Sequence, residues 1–400
     1  MRLFLAPLIV WMLFNAGIDF YIYHNLSKRF PNYPALKWIQ AVTAALLLVM
    51  AIVAICLPVR SGDEEILRAV NWLLFIYITF YIPKYLYFLV DLISLIPRCW
   101  QGKRWKWLSF GGFCMAGVLF SAFWWGAVFN RYNIRINEVE IGVTNLPRCF
   151  NGYRMLQFSD FHVGTYGNDT TFVSKVVDII NDLNPDLILF TGDIVNRHTK
   201  EIEPFVSVLA RLKAPDGVKV ILGNHDYGDY YTWSDSTAKE ANMNALYRHF
   251  EDMGWTLLRN RTDWIVRGND SLAIIGVENI GDPPFPIYGS LVKAYPSVED
   301  SFPKILLTHN PAHWVDSIQG YPEKNIALTL SGHTHAMQIE IAGWSPAKWR
   351  YKTWGGEYEA IDKERKLYVN IGLGTVGLPM RLGANPELTL ITLRTREGKE

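Results

Sequence analysis

Apolar residues follow two regimes along this chain. Up to about residue 130 they form four long runs, about 3–23, 38–59, 69–97 and 107–130. Each reaches the ~20 residues that a helix needs to cross the hydrocarbon core of a bilayer. The second and fourth runs carry no charge, the first holds Asp19, and the third holds Lys84 and Asp91. Trp38, Trp100, Trp105, Trp107, Trp124 and Trp125 fall near the run ends, where interfacial anchors belong. A cleavable signal peptide would account for the first run alone. Residues 1–130 are therefore expected to form a four-helix transmembrane domain, and residues 131–400 a separate globular one.

Beyond residue 130 the apolar runs are short and punctuated. Arg135–Val143 alternates apolar and polar positions, as a half-exposed strand does. Tyr153–Phe158, Asp186–Phe190 and Val218–Leu222 read as buried strands. They are separated by a helix over 170–183, stopped at Asn184-Pro185, and a helix around 201–212. Further on, Ser271–Val277, Lys304–Thr308, Ile326–Leu330, Leu367–Ile371 and Leu388–Leu393 are strand-like, the last two completing a second sheet. The expected class is α/β: two packed mixed sheets flanked by helices.

Composition changes this picture little. Half of the residues are hydrophobic, a high share that the first third explains, and the net charge of +1 gives no general pull toward nucleic acid. Cys56, Cys99, Cys114 and Cys149 form neither a disulfide framework nor a zinc knuckle. Basic residues weigh more heavily. The loops after the first and third runs hold Lys28, Arg29, Lys37, Arg98, Lys103, Arg104 and Lys106. The other side holds Arg2, Arg60, Arg68, Arg131 and Arg135. The positive-inside rule then places the globular domain outside the cytoplasm. Asp19, Lys84 and Asp91 are expected to be paired, with a polar headgroup pocket as the alternative.

The chemistry lies at the ends of the short strands. Asp160-Phe161-His162, Gly192-Asp193, Gly223-Asn224-His225-Asp226, His309 and Gly332-His333-Thr334-His335 each close an apolar run. In open α/β sheets, sites assemble at the carboxyl ends of strands. Carboxylate, imidazole and amide donors without thiolates suit Mn, Fe or Zn. Two such ions, about 3.5–4 Å apart, acidify a shared water and neutralise charge developing on phosphorus. Glycines 192, 223 and 332 would let the backbone turn sharply there. Asn196, close after Asp193, is a candidate to orient a ligand or bind substrate, and Arg381 to contact substrate phosphate. His198, His249 and His313 lack motif context and are expected at the surface.

These five blocks, in this order over residues 153–375, resemble the calcineurin-like metallophosphoesterase family. With the apolar N-terminal third and Tyr368–Thr375, they resemble its membrane-associated bacterial phosphodiesterases, a branch similar to UDP-2,3-diacylglucosamine hydrolases. The resemblance implies that Asp160, His162 and His335 hold one metal and Asn224, His309 and His333 a second, with Asp193 bridging. It further implies that His225 stands over the substrate phosphate and that Asp226 orients it. The chain is thus expected to be an integral, multi-pass protein of a bacterial inner membrane. It would cleave a phosphodiester or pyrophosphate bond in a lipid or glycolipid headgroup, with the bilayer as its partner. Two alternatives stay open: a tethered phosphatase of soluble phosphoesters or nucleotides, and a receptor carrying a relic hydrolase. The Gly343–Trp354 segment, with Trp344, Trp349 and Trp354 among Lys348, Arg350 and Lys352, either lies on lipid headgroups or packs as a surface loop.

Overall fold

The computed structural model describes residues 2–281, 286–295, 302–320 and 325–396. The chain divides into two compact units, Met1–Ala127 with Gly377–Pro379, and Val128–Val376 with Met380–Glu400.

The first unit contains helices α1 (Arg2–Arg29), α2 (Pro34–Cys56), α3 (Glu64–Ile93) and α4 (Lys106–Val128). Asp63 caps α3 by accepting from the Ile66 amide at 3.0 Å, and Glu64 and Glu65 complement the positive end of its dipole. Among the described residues, three helical stretches are long and apolar enough to cross a membrane: Pro34–Cys56, Glu64–Trp100 and Lys106–Tyr132. The fourth expected span falls on α1. The side chains of residues 2–6, 8 and 9 lie outside the described ones, and Asn15 and Asp19 put polar groups in the helix middle. Among the described residues the supported count is thus three apolar spans, one fewer than expected.

The three charges inside the apolar runs, Asp19, Lys84 and Asp91, are paired. Asp19 meets Lys84 Nζ at 2.6 Å and accepts from Gln40 and the Tyr81 hydroxyl at 2.8 and 2.7 Å. Asp91, fully buried, meets Arg29 at 2.9 Å, Arg104 and Ser109, and accepts from Tyr21 at 2.6 Å. In hydrocarbon an unpaired carboxylate costs several kcal/mol, so these partners are what make both positions tolerable.

The second unit is built on two six-stranded sheets. The strands are β1 (Arg135–Thr144), β2 (Arg154–Phe158), β3 (Leu187–Phe190), β4 (Val218–Val220), β5 (Trp255–Leu257) and β6 (Arg261–Arg267). They continue with β7 (Asp270–Gly276), β8 (Lys304–Leu307), β9 (Ile326–Ser331), β10 (Gly356–Glu359), β11 (Lys366–Val369) and β12 (Glu387–Arg396). One sheet has the order β1-β12-β2-β3-β4-β5, the other β10-β11-β9-β8-β7-β6. β2 to β5 run parallel, as do β7, β8, β9 and β11.

Alternation along the strands decides the layers. Met155, Leu187, Leu189 and Ile391 of the first sheet meet Ile274, Ile305, Leu307, Leu328 and Leu330 of the second in one core. Their neighbours Leu156, Phe158, Ile188 and Phe190 face outward onto α5 (Thr171–Leu183), α6 (Val206–Leu209) and α7 (Ser236–Asp252). α8 (Leu291–Ala294) and α9 (Ala312–Ser317) cover the other sheet. α5 ends at Asn184, whose left-handed φ of 47° precedes Pro185.

Two expectations change here. β12 joins the first sheet, pairing in parallel with β1 and antiparallel with β2, rather than completing the second. The helix around 201–212 is a 3-10 turn over Thr199–Phe205 followed by the single turn α6, because Pro204 has no N–H to continue an α-helical ladder.

Candidate metal centre

The two sheets deliver their chemistry to one rim. Asp160 and His162 follow β2, Asp193 follows β3, and Asn224 and His225 follow β4, while His309 follows β8 and His333 and His335 follow β9. Their donor atoms converge. Asp160 Oδ1 lies 3.2 Å from His335 Nε2, which is 3.1 Å from His162 Nε2. Asp193 Oδ2 lies 3.1 Å from His309 Nε2 and 3.7 Å from His162 Nε2. Asn224 Oδ1 is 2.9 Å from His333 Nδ1 and 3.1 Å from His309 Nε2. Two ligand-like groups result, Asp160-His162-His335 and Asp193-His309-His333.

The backbone is bent hard to achieve this. Asp160, His162, Asp193, His333 and His335 all have left-handed φ, between 48° and 75°. Non-glycine residues pay for such conformations, and they concentrate at functional sites. Gly192, at φ 99°, makes the expected sharp turn. Gly223 and Gly332 serve a different purpose: a Cβ there would strike the carboxylates of Asp193 and Asp160.

Neighbouring groups fix which ring nitrogen faces inward. A carbonyl can only accept, so His162 donates from Nδ1 to Val195 O at 3.1 Å and His309 from Nδ1 to Thr191 O at 2.8 Å. Each thereby turns its Nε2 toward the site. Asn224 Nδ2 donates to the Tyr230 hydroxyl at 2.9 Å, which directs its oxygen inward. Burial, reinforced by neighbouring imidazoles, pushes His333 down to about 3 and His162 well below its ordinary value, so both are neutral. Burial opposes charge on Asp160 and Asp193 as well. The adjacent His335 and His309 outweigh it and hold both carboxyls well below the usual range.

This donor set fits divalent cations. His162 Nε2 faces His335 Nε2 at 3.1 Å, and His333 Nδ1 faces His309 Nε2 at 3.3 Å. Two ring nitrogens so close cannot both point lone pairs at each other; a cation or a proton must lie between them. Buried carboxylates beside them and the lack of thiolates in the cluster match Mn, Fe or Zn.

The chain is similar to known proteins over both of its units. Residues 153–337 match the calcineurin-like phosphoesterase family, and residues 1–131 match a second family described as "Probable Calcineurin-like phosphoesterase, transmembrane domain". An uncharacterized metallophosphoesterase of Bacillus subtilis is 31% identical over 274 residues, 66% of this chain and 86% of that protein. The chain belongs to the calcineurin-like phosphoesterase family. It is accordingly a metal-dependent phosphoester hydrolase, and a membrane protein. A transmembrane protein with metallophosphoesterase domain from Danio rerio is 30% identical over 267 residues, 65% of this chain but 57% of its own length. The UDP-2,3-diacylglucosamine pyrophosphatase of Chlamydia trachomatis is 29% identical over 282 residues, 58% of this chain and 81% of that protein.

Several residues of the phosphoesterase act differently from expectation. Asp226 does not touch the His225 ring. Its buried carboxylate accepts from the amides of Asp193, Ile194, Val195 and Gly223 at 2.8, 2.9, 3.3 and 2.8 Å, and so ties the Asp193 and Asn224 loops together. Burial and the Asp193 charge push this carboxyl up to about 7, while the amides of Gly223, Asp193 and Val195 pull it toward the ionised form. His225 is oriented instead by Asn196, whose backbone carbonyl accepts from His225 Nδ1 at 2.6 Å. The Asn196 side chain is engaged within its own loop: its amide nitrogen donates to Glu201 at 2.9 Å. Arg381 cannot reach a substrate phosphate. It is fully buried, donates to the carbonyls of Gly374, Ile371 and Ala384, and lies 3.3 Å from His335 Nδ1.

Three residues without a motif also shape the site. Glu201, nearly buried, accepts from the amides of Asn196, Arg197 and His198 and so holds the loop that carries Asn196. Tyr230 stacks on His225, ring centroids 4.3 Å apart, and the Tyr351 hydroxyl meets His333 Nε2 at 2.9 Å. An aromatic soon after Asn224 was the only sequence signal for Tyr230, and Tyr351 was hidden in the run of cations and tryptophans.

Two histidines expected at the surface are buried. His198 packs edge-on against Tyr231, and His313 bonds to the Thr308 hydroxyl through Nδ1 at 3.0 Å. Burial holds His313 at about 4 instead of 6.5. The unfolded chain therefore takes up a proton first. The stabilisation is complete above pH 6.5, declines as pH falls, and is lost below about 4, amounting to at most about 3 kcal/mol. Thermal melts of wild type and His313→Asn between pH 7 and 4 are expected to show a shallower pH slope for the variant. Parallel slopes would contradict the assignment.

Proposed function

We propose that this chain is a multi-pass membrane enzyme that hydrolyses a phosphodiester or pyrophosphate bond in a lipid or glycolipid headgroup. The convergence of seven carboxylate, imidazole and amide donors on one rim carries this reading. Asp160, His162 and His335 would hold one divalent ion, and Asn224, His309 and His333 the other, with the Asp193 carboxylate between them. When bound, the pair supplies Lewis acidity to the phosphoryl oxygens and lowers the pKa of the attacking water. Water oxygen forms the new bond to phosphorus as the bond to the leaving oxygen breaks.

His225 serves the leaving group. With Nδ1 committed to the Asn196 carbonyl, Nε2 is the ring atom that can carry a proton to the departing oxygen. Tyr230, stacked on one face, keeps the ring from turning away. Asp226 preserves the loop geometry beneath it, and the domain division falls near residue 130.

The apolar spans and the similarity to the Chlamydia pyrophosphatase support a lipid-linked substrate. The distribution of basic residues supports a site outside the cytoplasm in a bacterial inner membrane. The purified full chain with Mn²⁺ should turn over a lipid-linked pyrophosphate in detergent micelles with a kcat/KM about tenfold or more above that for bis-p-nitrophenyl phosphate. Preference for water-soluble phosphoesters would overturn the lipid assignment and leave a tethered soluble-substrate enzyme.

A further inference from the structure

The segment Ile341–Trp354 presents a surface that the catalytic chemistry does not use. Ile341 and Trp344 close a two-residue hairpin, each donating its amide to the other's carbonyl at 2.8 and 3.0 Å. Ala342 and Gly343 occupy its tip with left-handed φ of 50° and 76°. Ser345, fully buried, donates to the Ala336 carbonyl at 2.6 Å and accepts from the Ala347 amide at 3.1 Å. Thr334 ties the far end by donating to the Trp354 carbonyl at 2.5 Å. A frame pinned at both ends is thus holding its apolar side chains outward.

Those side chains are large. Trp349 is 79% exposed, Ile341 59% and Trp344 41%, and the two indoles meet edge to face at 5.3 Å. Between and beyond them stand Lys348, Arg350 and Lys352, all exposed, and no acidic residue occurs from 341 to 354. Scattered exposed apolar residues mean little, but a framed cluster interleaved with cations of one sign does. Indoles settle at the bilayer interface with the polar edge wet, while lysine and arginine stems run along apolar surface and bring their charge to phosphate.

We propose that Ile341–Trp354 is a docking surface for anionic lipid, with Trp344, Trp349 and Ile341 entering the interfacial layer and Lys348, Arg350 and Lys352 on headgroup phosphates. Charge complementarity favours lipid over a generic apolar partner. The apolar helices of the same chain make a bilayer available to it. The segment also carries Tyr351, whose hydroxyl lies on His333. Lipid contact and the metal centre are therefore joined by one short, framed stretch of chain. The proposal deepens the lipid-headgroup reading and rests on it for its purpose, but it is tested by contact rather than turnover.

The full chain is placed in nanodiscs of phosphatidylcholine alone or with about 30% phosphatidylglycerol, and amide hydrogen exchange is followed over 341–354. Exchange there should slow about fivefold or more in the anionic discs relative to detergent, with β2 to β4 unchanged. A Lys348→Gln/Trp349→Ala variant should lose that protection while hydrolysing bis-p-nitrophenyl phosphate at the wild-type rate. Equal exchange in detergent, neutral discs and anionic discs would overturn the docking surface, whatever the enzyme's substrate. Protection with no lipid-linked turnover would instead uphold the surface and remove the substrate assignment.

Discussion

Asp193→Ala is expected to lower kcat/KM on bis-p-nitrophenyl phosphate by at least about 10³-fold, the largest effect of any single substitution in this chain. Its carboxylate occupies the middle of the centre: Oδ2 faces His309 and His162, and Oδ1 accepts from the His225 amide at 2.8 Å. In the proposed two-ion site, removing it would delete the negative charge that would let two cations sit near each other. It also releases the loop bearing His225. Asp193→Asn separates the two effects, because an amide oxygen can keep the bond to the His225 amide while the charge is gone. The asparagine variant should therefore hold its thermal midpoint better than the alanine variant and yet be nearly as inactive. Full activity in Asp193→Ala would end the metal-centre account.

Asp226→Ala is expected to fail differently, by loss of structure. Four buried backbone amides converge on this carboxylate. Each amide left without an acceptor costs about 1–3 kcal/mol, so the total is at least about 4 kcal/mol. For a unit of this size the thermal midpoint should fall by on the order of 10 °C. Asparagine cannot rescue it, since its NH₂ would point at donors. If Asp226 acted by orienting His225, the outcome would be a lowered kcat with an unchanged midpoint. Measuring both quantities on one preparation distinguishes the roles.

These two aspartates also mark what the sequence discloses. Asp193 stands out because Gly192-Asp193 closes an apolar run, and position after a strand is a local property. The ligand candidates were legible for the same reason, since each sits one or a few residues past a strand. The resemblance makes Asp226 a partner of His225, its neighbour in sequence. In the turn after β4 adjacent side chains diverge: the carboxylate takes the amides of residues 193–195 and 223, while the imidazole donates to the Asn196 carbonyl. Which groups lie beneath a site depends on the path of other loops, here residues 193–196, and no local pattern encodes that.

The same division holds for the fold. Most strands were visible from their apolar alternation and their flanking Gly, Pro and Asn. The sheet that β12 joins was not, because pairing depends on which edge is free when distant strands meet; β12 slots between β1 and β2, at the far end of the unit in sequence. Arg381 looked available because it follows Gly377-Leu378-Pro379-Met380. Its burial depends on three carbonyls from residues 371, 374 and 384 that only the folded turn brings to it. Pro204 is a local signal, and its missing N–H explains why the stretch around 201–212 is a 3-10 turn followed by the short α6 rather than one helix.

Metal content measured on the purified full chain tests the central claim most directly. The account predicts about two transition-metal ions per wild-type chain and a clear loss in Asp193→Ala. A folded wild-type chain that binds none after incubation with Mn²⁺, Fe²⁺ or Zn²⁺ would contradict it.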